Sequence, residues 1–111
     1  MDPSRTAGGG WTPLFVAAEE GHAGVVTLLL ATPGVDPSRA TDSGMTPLYI
    51  AAQKGHADVG TLLLANLSVD PSHAMKDGCT PLFIAAHEGH EDVAALLLAS
   101  PVRLRENPRC A

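Results

Sequence analysis

A 34-residue period runs through this chain of 111 residues and constrains its fold more than any other feature. Over the first 22 positions of each unit, 13 residues are identical in all three copies. A fixed period of this length is typical of arrays in which one supersecondary unit stacks on the next. The clearest copies are Gly10-Trp11-Thr12-Pro13-Leu14, which returns at 44–48 and 78–82, and Leu28-Leu29-Leu30, which returns at 62–64 and 96–98.

The period also divides the chain. The leader Asp2-Pro3-Ser4-Arg5 matches 36–39 at the same offset of 34, whereas 100–111 matches 66–77 at no position. We therefore predict a single domain over 1–111, composed of a partial leading unit 1–9, repeats 10–43, 44–77 and 78–99, and a divergent tail 100–111.

Each unit opens with the pattern of a short helix. A threonine hydroxyl can accept from the first free N–H groups, and the proline after it tolerates the first helical position because it has no N–H. A glycine eight residues after the proline is expected to end the helix in a left-handed conformation. The threonines are Thr12, Thr46 and Thr80, and the glycines are Gly21, Gly55 and Gly89.

A second helix is predicted from about Ala23 to Ala31 and over the equivalent residues of the other units. Its inner face is predicted to hold Val25, Leu28 and Leu29, with Leu30 widening the apolar stripe. After it, the residue before each Asp-Pro proline is expected to be extended, and two glycine-containing segments favour tight turns. Those turn tips are Asp42-Ser43-Gly44 and Lys76-Asp77-Gly78.

Taken in order, Thr-Pro-Leu, Ala-Ala, Gly-His and Val-x-x-Leu-Leu-Leu resemble the ankyrin repeat. The resemblance covers nearly the whole chain, from Asp2 to about Ala99. It implies an all-α solenoid of stacked helix-turn-helix units with projecting hairpin-like loops. In this family the first helices and the loop tips line the concave side, which contacts partner proteins.

The chain departs from the family pattern at three places. Its period is 34, against about 33 in the family. The histidine that usually follows Thr-Pro-Leu is replaced by Phe15, Tyr49 and Phe83, so packing is expected to replace a polar contact. The aspartate often found three residues before the turn glycine is replaced by Ala7, Thr41 and Met75.

The candidate catalytic and metal-binding groups do not form a recognisable site. His22, His56 and His90 recur with the period, which indicates a role in the scaffold. His87-Glu88-Gly89-His90 has its two histidines three residues apart, whereas a zinc-binding helix needs them at i and i+4. Cys79 lacks an oriented base and is predicted to be a small, half-exposed apolar residue. We predict no enzyme activity, no cofactor and no metal.

Charge and composition narrow the class of partner. The net charge of -5 gives no basic surface for nucleic acid or an anionic membrane. Neither a membrane span nor a secretory signal is apparent. With only two cysteines, Cys79 and Cys110, a reducing compartment is the simpler interpretation, and Cys110 is predicted to be an exposed free thiol. We predict an intracellular, cytoplasmic location and leave the nucleus open.

Comparison of the units with one another identifies candidate partner-binding residues. Residues identical in every copy are expected to maintain the stack, and exposed residues that vary are free for recognition. By the ankyrin resemblance, the variable residues lie on the concave face and the loop tips, and an exposed Trp and Met would favour an interface. They are Trp11, Met45 and Cys79; Glu19, Gln53 and His87; Glu20, Lys54 and Glu88; and the loop residues Asp42, Ser43, Lys76 and Asp77.

The ends of the array give the alternative hypothesis. The third unit keeps the apolar stripe Val93, Leu96, Leu97 and Leu98, and the tail that could cover it contains two prolines. We predict weak end-to-end self-association through this exposed end. The alternative function is thus a structural or consensus-like segment of a longer array, with no partner site of its own.

Overall fold

The computed structural model describes residues 8–66 and 68–99. Within these ranges the chain forms six α-helices of eight residues each and no strand, which confirms the predicted all-α fold of helix-turn-helix units. A 3-10 turn, Gly8–Gly10, precedes them. The helices are α1 Pro13–Glu20, α2 Ala23–Leu30, α3 Pro47–Lys54, α4 Ala57–Leu64, α5 Pro81–Glu88 and α6 Glu91–Leu98.

The first helix of every unit begins as its sequence predicts. The hydroxyl of Thr12 accepts a hydrogen bond from the backbone N–H of Phe15 at 3.1 Å, and Thr46 and Thr80 do the same in their units at the same distance. A proline occupies the first helical position each time. Such an N-cap contributes about 1 kcal/mol to stability, so each short helix has a defined start.

The same helices end at the predicted glycines. Gly21 has φ 75°, and its N–H bonds Ala18 O at 3.3 Å while the N–H of His22 bonds Ala17 O at 2.9 Å. This pair of bonds is a Schellman motif, which satisfies the last carbonyls of the helix and requires a left-handed residue. Gly55 and Gly89 have φ 77° and end α3 and α5 in the same conformation. The chain therefore turns sharply into the second helix of each unit.

The helices stack in two layers. In one layer α1 packs on α3 and α3 on α5, and in the other α2 packs on α4 and α4 on α6. Within each unit the first helix packs against the second. This is the nearest-neighbour arrangement of a solenoid, in which each unit is buried mainly by the units before and after it.

The inner face of the second helix differs from the prediction in the first unit. Val25 and Leu28 are 46% and 71% exposed, and Val26 is the buried residue of α2. In α4 the residue equivalent to Val25, Val59, is fully buried, as is Leu63. The local sequence is nearly the same, so the difference arises because α4 packs on α2, whereas none of the described helices packs on the opposite side of α2.

The apolar stripe of the third unit is likewise less exposed than predicted. Val93 and Leu97 are buried, because this side of α6 packs on α4. Leu96 is half-buried and Leu98 remains 68% exposed. The prediction that the whole stripe needs a cover is therefore wrong, and the predicted tail 100–111 lies outside the described residues.

The loops between units form the predicted tight turns. In the first, the Gly44 N–H donates to Thr41 O and the Thr41 N–H to Met45 O, both at 2.8 Å. The buried Thr41, which stands where the family often has aspartate, accepts from the Met45 N–H at 3.2 Å. Gly44 has φ 92°, and a Cβ there would lie 3.1 Å from the backbone nitrogen of Lys76 in the next loop. The loop tips thus stack closely on one another.

Histidines connect successive units. His56 Nε2 lies 2.9 Å from Glu19 O, and His90 Nε2 lies 3.0 Å from Gln53 O. A carbonyl oxygen only accepts, so the ring nitrogen carries the proton and donates. Each ring also lies over the turn glycine of the preceding unit, as a Cβ at Gly21 would come within 2.8 Å of His56. The predicted scaffold role of His56 and His90 is confirmed, whereas the exposed His22 bonds no carbonyl within the described residues.

Candidate functional site

The candidate residues at the ends of the first helices lie on one face of the stack. Glu20, Lys54 and Glu88 are the last residues of α1, α3 and α5, and all three are exposed. Their neighbours Glu19 and Gln53 are half-buried, and their backbone oxygens are held by His56 and His90. The backbone that carries these side chains is therefore fixed by the scaffold, while the side chains differ from unit to unit.

The variable residues that precede the N-cap threonines are not fully exposed. Trp11, Met45 and Cys79 are half-buried and pack against the core. The Trp11 ring lies 5.1 Å from that of Phe15 at an angle of 55°, a tilted aromatic contact. The expectation of an exposed Trp and Met in adjacent units is wrong, because part of each side chain covers the first helix.

Cys79 is disulfide-bonded and is not a free thiol. The prediction of reduced cysteines is therefore wrong at this residue, since sequence separation alone does not reveal which sulfurs meet. A disulfide at Cys79 removes the free thiol that indicated a reducing compartment, and the intracellular location stays a prediction. Cys110, predicted to be a free thiol, lies outside the described residues.

The candidate residues of the loop tips are exposed on rigid turns. Asp42, Ser43, Lys76 and Asp77 all face solvent. The backbone N–H of Asp42 donates to Gly9 O at 2.9 Å, and the Asp77 carboxylate accepts from the Cys79 N–H at 3.0 Å. These bonds fix the backbone of the loop tips, and the bond to the Cys79 N–H involves one of the two carboxylate oxygens of Asp77.

Acidic residues of a loop tip and of a helix end influence the ionisation of Tyr49. Burial raises the pKa of the Tyr49 hydroxyl, and the negative charges of Asp77 and Glu88 raise it further. Both carboxylates therefore disfavour the ionised form of the Tyr49 hydroxyl. Across the candidate set the carboxylates outnumber the lysines, which makes this face acidic. The acidic members are Glu19, Glu20, Asp42, Asp77 and Glu88, and the lysines are Lys54 and Lys76.

His87 and His90 do not converge on a common point. His87 Nδ1 lies 3.1 Å from Glu88 Oε2, and its ring stacks on Phe83 at 6.1 Å. His90 is instead directed to Gln53 O. In the described part of the chain, no three His, Cys, Asp or Glu side chains form a group that could hold a metal ion. None of the described helices has the length and apolarity needed to cross a bilayer.

Sequence reasoning missed an apolar groove at the N-terminal end of the stack. The groove has a volume of about 430 Å³. No residue pattern along the chain signals it, because Pro13, Val16 and Val25 are exposed here while the equivalent residues of the later units are buried. The lining residues are Trp11, Thr12, Pro13, Val16, Ala17, His22 and Val25.

Stacked helix-turn-helix units with variable, exposed helix ends and loop tips define a helical repeat protein. Residues 33–107 match the family model for ankyrin repeats in three copies, and residues 9–42 match the model for the ankyrin repeat. The chain belongs to the ankyrin repeat family. Members of this family are generally protein–protein interaction modules and are generally non-catalytic. A comparison with curated proteins finds no match.

Proposed function

We propose that this protein binds a partner protein through the recognition face, defined as the exposed ends of α1, α3 and α5 together with the two loop tips. The observation that carries the proposal is the division between conserved and variable positions of the units. Residues identical in all units are largely buried or hydrogen-bonded within the stack, while Glu20, Lys54 and Glu88 are exposed and differ in charge. A surface that varies on an invariant scaffold suits recognition.

The hydrogen bonds beneath this face support the proposal. His56 and His90 fix the carbonyls of the helix ends, and the turns fix the loop tips. A preorganised surface loses little conformational entropy when a partner binds, so more of the interaction free energy remains as affinity.

The acidic balance of the face indicates the chemistry of the partner. A surface with complementary basic groups would be attracted before contact, and this attraction weakens as salt screens the charges. The partner is therefore expected to present Lys or Arg side chains.

Charge reversal tests the proposal. The variant Glu20→Lys/Lys54→Glu/Glu88→Lys changes one equivalent, exposed position in each unit. Partners captured by the wild-type protein and identified by mass spectrometry should be lost with this variant, and should elute from the wild type as salt is raised.

The matched control places three charges on the other layer, in Thr27→Lys/Thr61→Lys/Ala95→Lys, at equivalent positions that are exposed in every unit. This control should retain the captured partner. If the charge-reversal variant keeps the partner and the control loses it, the recognition face has been assigned to the wrong side of the stack.

A further inference from the structure

Identical positions of the repeat are buried in one unit and exposed in another, and these differences mark the two ends of the stack over the described residues. At the N-terminal end, Val16 is 40% exposed, whereas its equivalent in α3, Ile50, is 2% exposed. Pro13 is exposed, while the equivalent prolines in α3 and α5 are buried. Together with Val25 and Leu28, these residues form the N-terminal end face.

The opposite differences mark the C-terminal end. Ala18 and Ala52 are fully buried by the next unit, but the equivalent Ala86 is exposed. A Cβ at Gly21 or Gly55 would meet the histidine of the following unit, whereas a Cβ at Gly89 has no neighbour within 4 Å. Ala86, Gly89 and the exposed Leu98 belong to the C-terminal end face, which includes a hollow of about 340 Å³.

The two end faces are the two halves of the interface that already joins the units. Within the chain, a histidine donates to the carbonyl 37 residues earlier, as His56 does to Glu19 and His90 to Gln53. The next acceptor in this series is His87 O, and within the described residues His22 is the histidine of the series that bonds no carbonyl. Apolar packing follows the same register. A Cβ at Gly60 in the second unit would contact Leu96 of the third unit at 3.8 Å. The equivalent pair between two molecules is Ala94 of one and Leu28 of the other.

We infer that the N-terminal end face of one molecule docks on the C-terminal end face of a second copy of this chain. His22 of the docking molecule donates to His87 O of the other, and Leu28 packs on Ala94. The occupant is a second copy because one chain carries both complementary halves, in the register of its internal interfaces. The contact is heterologous and does not close on itself, so it extends into linear chains of molecules. This surface is separate from the recognition face.

The test uses one charge at each end face, in the chain of 111 residues. Val25→Glu blocks the N-terminal end face and Ala86→Glu blocks the C-terminal end face, both at positions that are already exposed. A buried, unpaired carboxylate in the contact should raise the dissociation constant roughly tenfold or more. Leu28→Glu serves as a second variant of the N-terminal end face. Thr27→Glu and Ala95→Glu add the same charge at positions exposed in every unit, as matched controls.

Sedimentation equilibrium over a range of protein concentrations gives the readout. The average mass of the wild type and of both controls should grow beyond that of a dimer as concentration rises, and each end-face variant alone should remain a monomer. An equimolar mixture of Val25→Glu and Ala86→Glu should form a dimer, because each supplies the face that the other lacks. A wild type that stays monomeric, association that stops at a dimer, or a mixture that stays monomeric would each overturn head-to-tail docking. Circular dichroism melting curves should show that the variants remain folded.

Discussion

Gly60→Ala is expected to stabilise the protein, although it changes a buried residue. Gly60 lies inside α4, where the other units carry Val26 and Ala94, and its φ is not positive. An interior glycine costs a helix about 1 kcal/mol relative to alanine, because more backbone freedom is lost on folding. A methyl group there would meet Leu96 Cδ1 at 3.8 Å, which is an ordinary van der Waals distance.

The two effects add in the same direction. Burial of one methyl group contributes up to about 0.8 kcal/mol, so the free energy of unfolding should rise by about 1–2 kcal/mol. For a domain of this size, each kcal/mol raises Tm by roughly 4–8 °C. Urea titration and thermal melting followed by circular dichroism would measure the change.

Gly24→Ala is the matched control for this experiment. Gly24 lies in the first turn of α2, it is exposed, and a Cβ there has no neighbour within 4 Å. This variant should gain less than Gly60→Ala, because it has neither the interior position nor the packing contact. If Gly60→Ala instead lowered the free energy of unfolding, then α4 would require glycine for the approach of α6, and the reasoning from the 3.8 Å distance would be refuted.

Three further predictions concern the contacts between units. His56→Ala should lower the free energy of unfolding by about 1–3 kcal/mol, because it leaves the Glu19 carbonyl without its donor. His22→Ala should change that free energy by less than about 0.5 kcal/mol. Equal losses for the two variants in urea titration would contradict this prediction. Gly55→Ala should be destabilising in the same assay, because Gly55 has φ 77° and a Cβ there would lie 2.6 Å from His90 Nδ1, and an unchanged Tm would contradict this. The pKa of Tyr49 is raised above its ordinary 10.0 in the folded state, so the stability that Tyr49 contributes is complete below that pH and is lost as pH rises through the folded-state pKa. The variant Tyr49→Phe should abolish this loss of stability at alkaline pH. An identical dependence of stability on pH in the variant and the wild type would refute the prediction.

Much of the fold could be predicted because it depends on local chemistry. The threonine hydroxyl makes the same N-cap in all three units, and Gly21, Gly55 and Gly89 adopt the same left-handed turn. The candidate face was harder to predict. Trp, Met and Cys are typical of interfaces and of cores alike, so residue type could not reveal that Trp11, Met45 and Cys79 pack against the core.

The sequence alone determined the period, the helix boundaries, the turns and the family, because each follows from side chains acting on their own backbone or from a pattern repeated along the chain. Only the tertiary structure decided which copies of a repeated residue are buried. Val25 is exposed and Val59 is buried, while Ala18 is buried and Ala86 is exposed. The residue type is the same within each pair, and the difference is whether another unit packs on that side. In a solenoid, the burial of a residue depends on the unit that packs against it, and the local sequence around the residue does not show which side of its unit is covered.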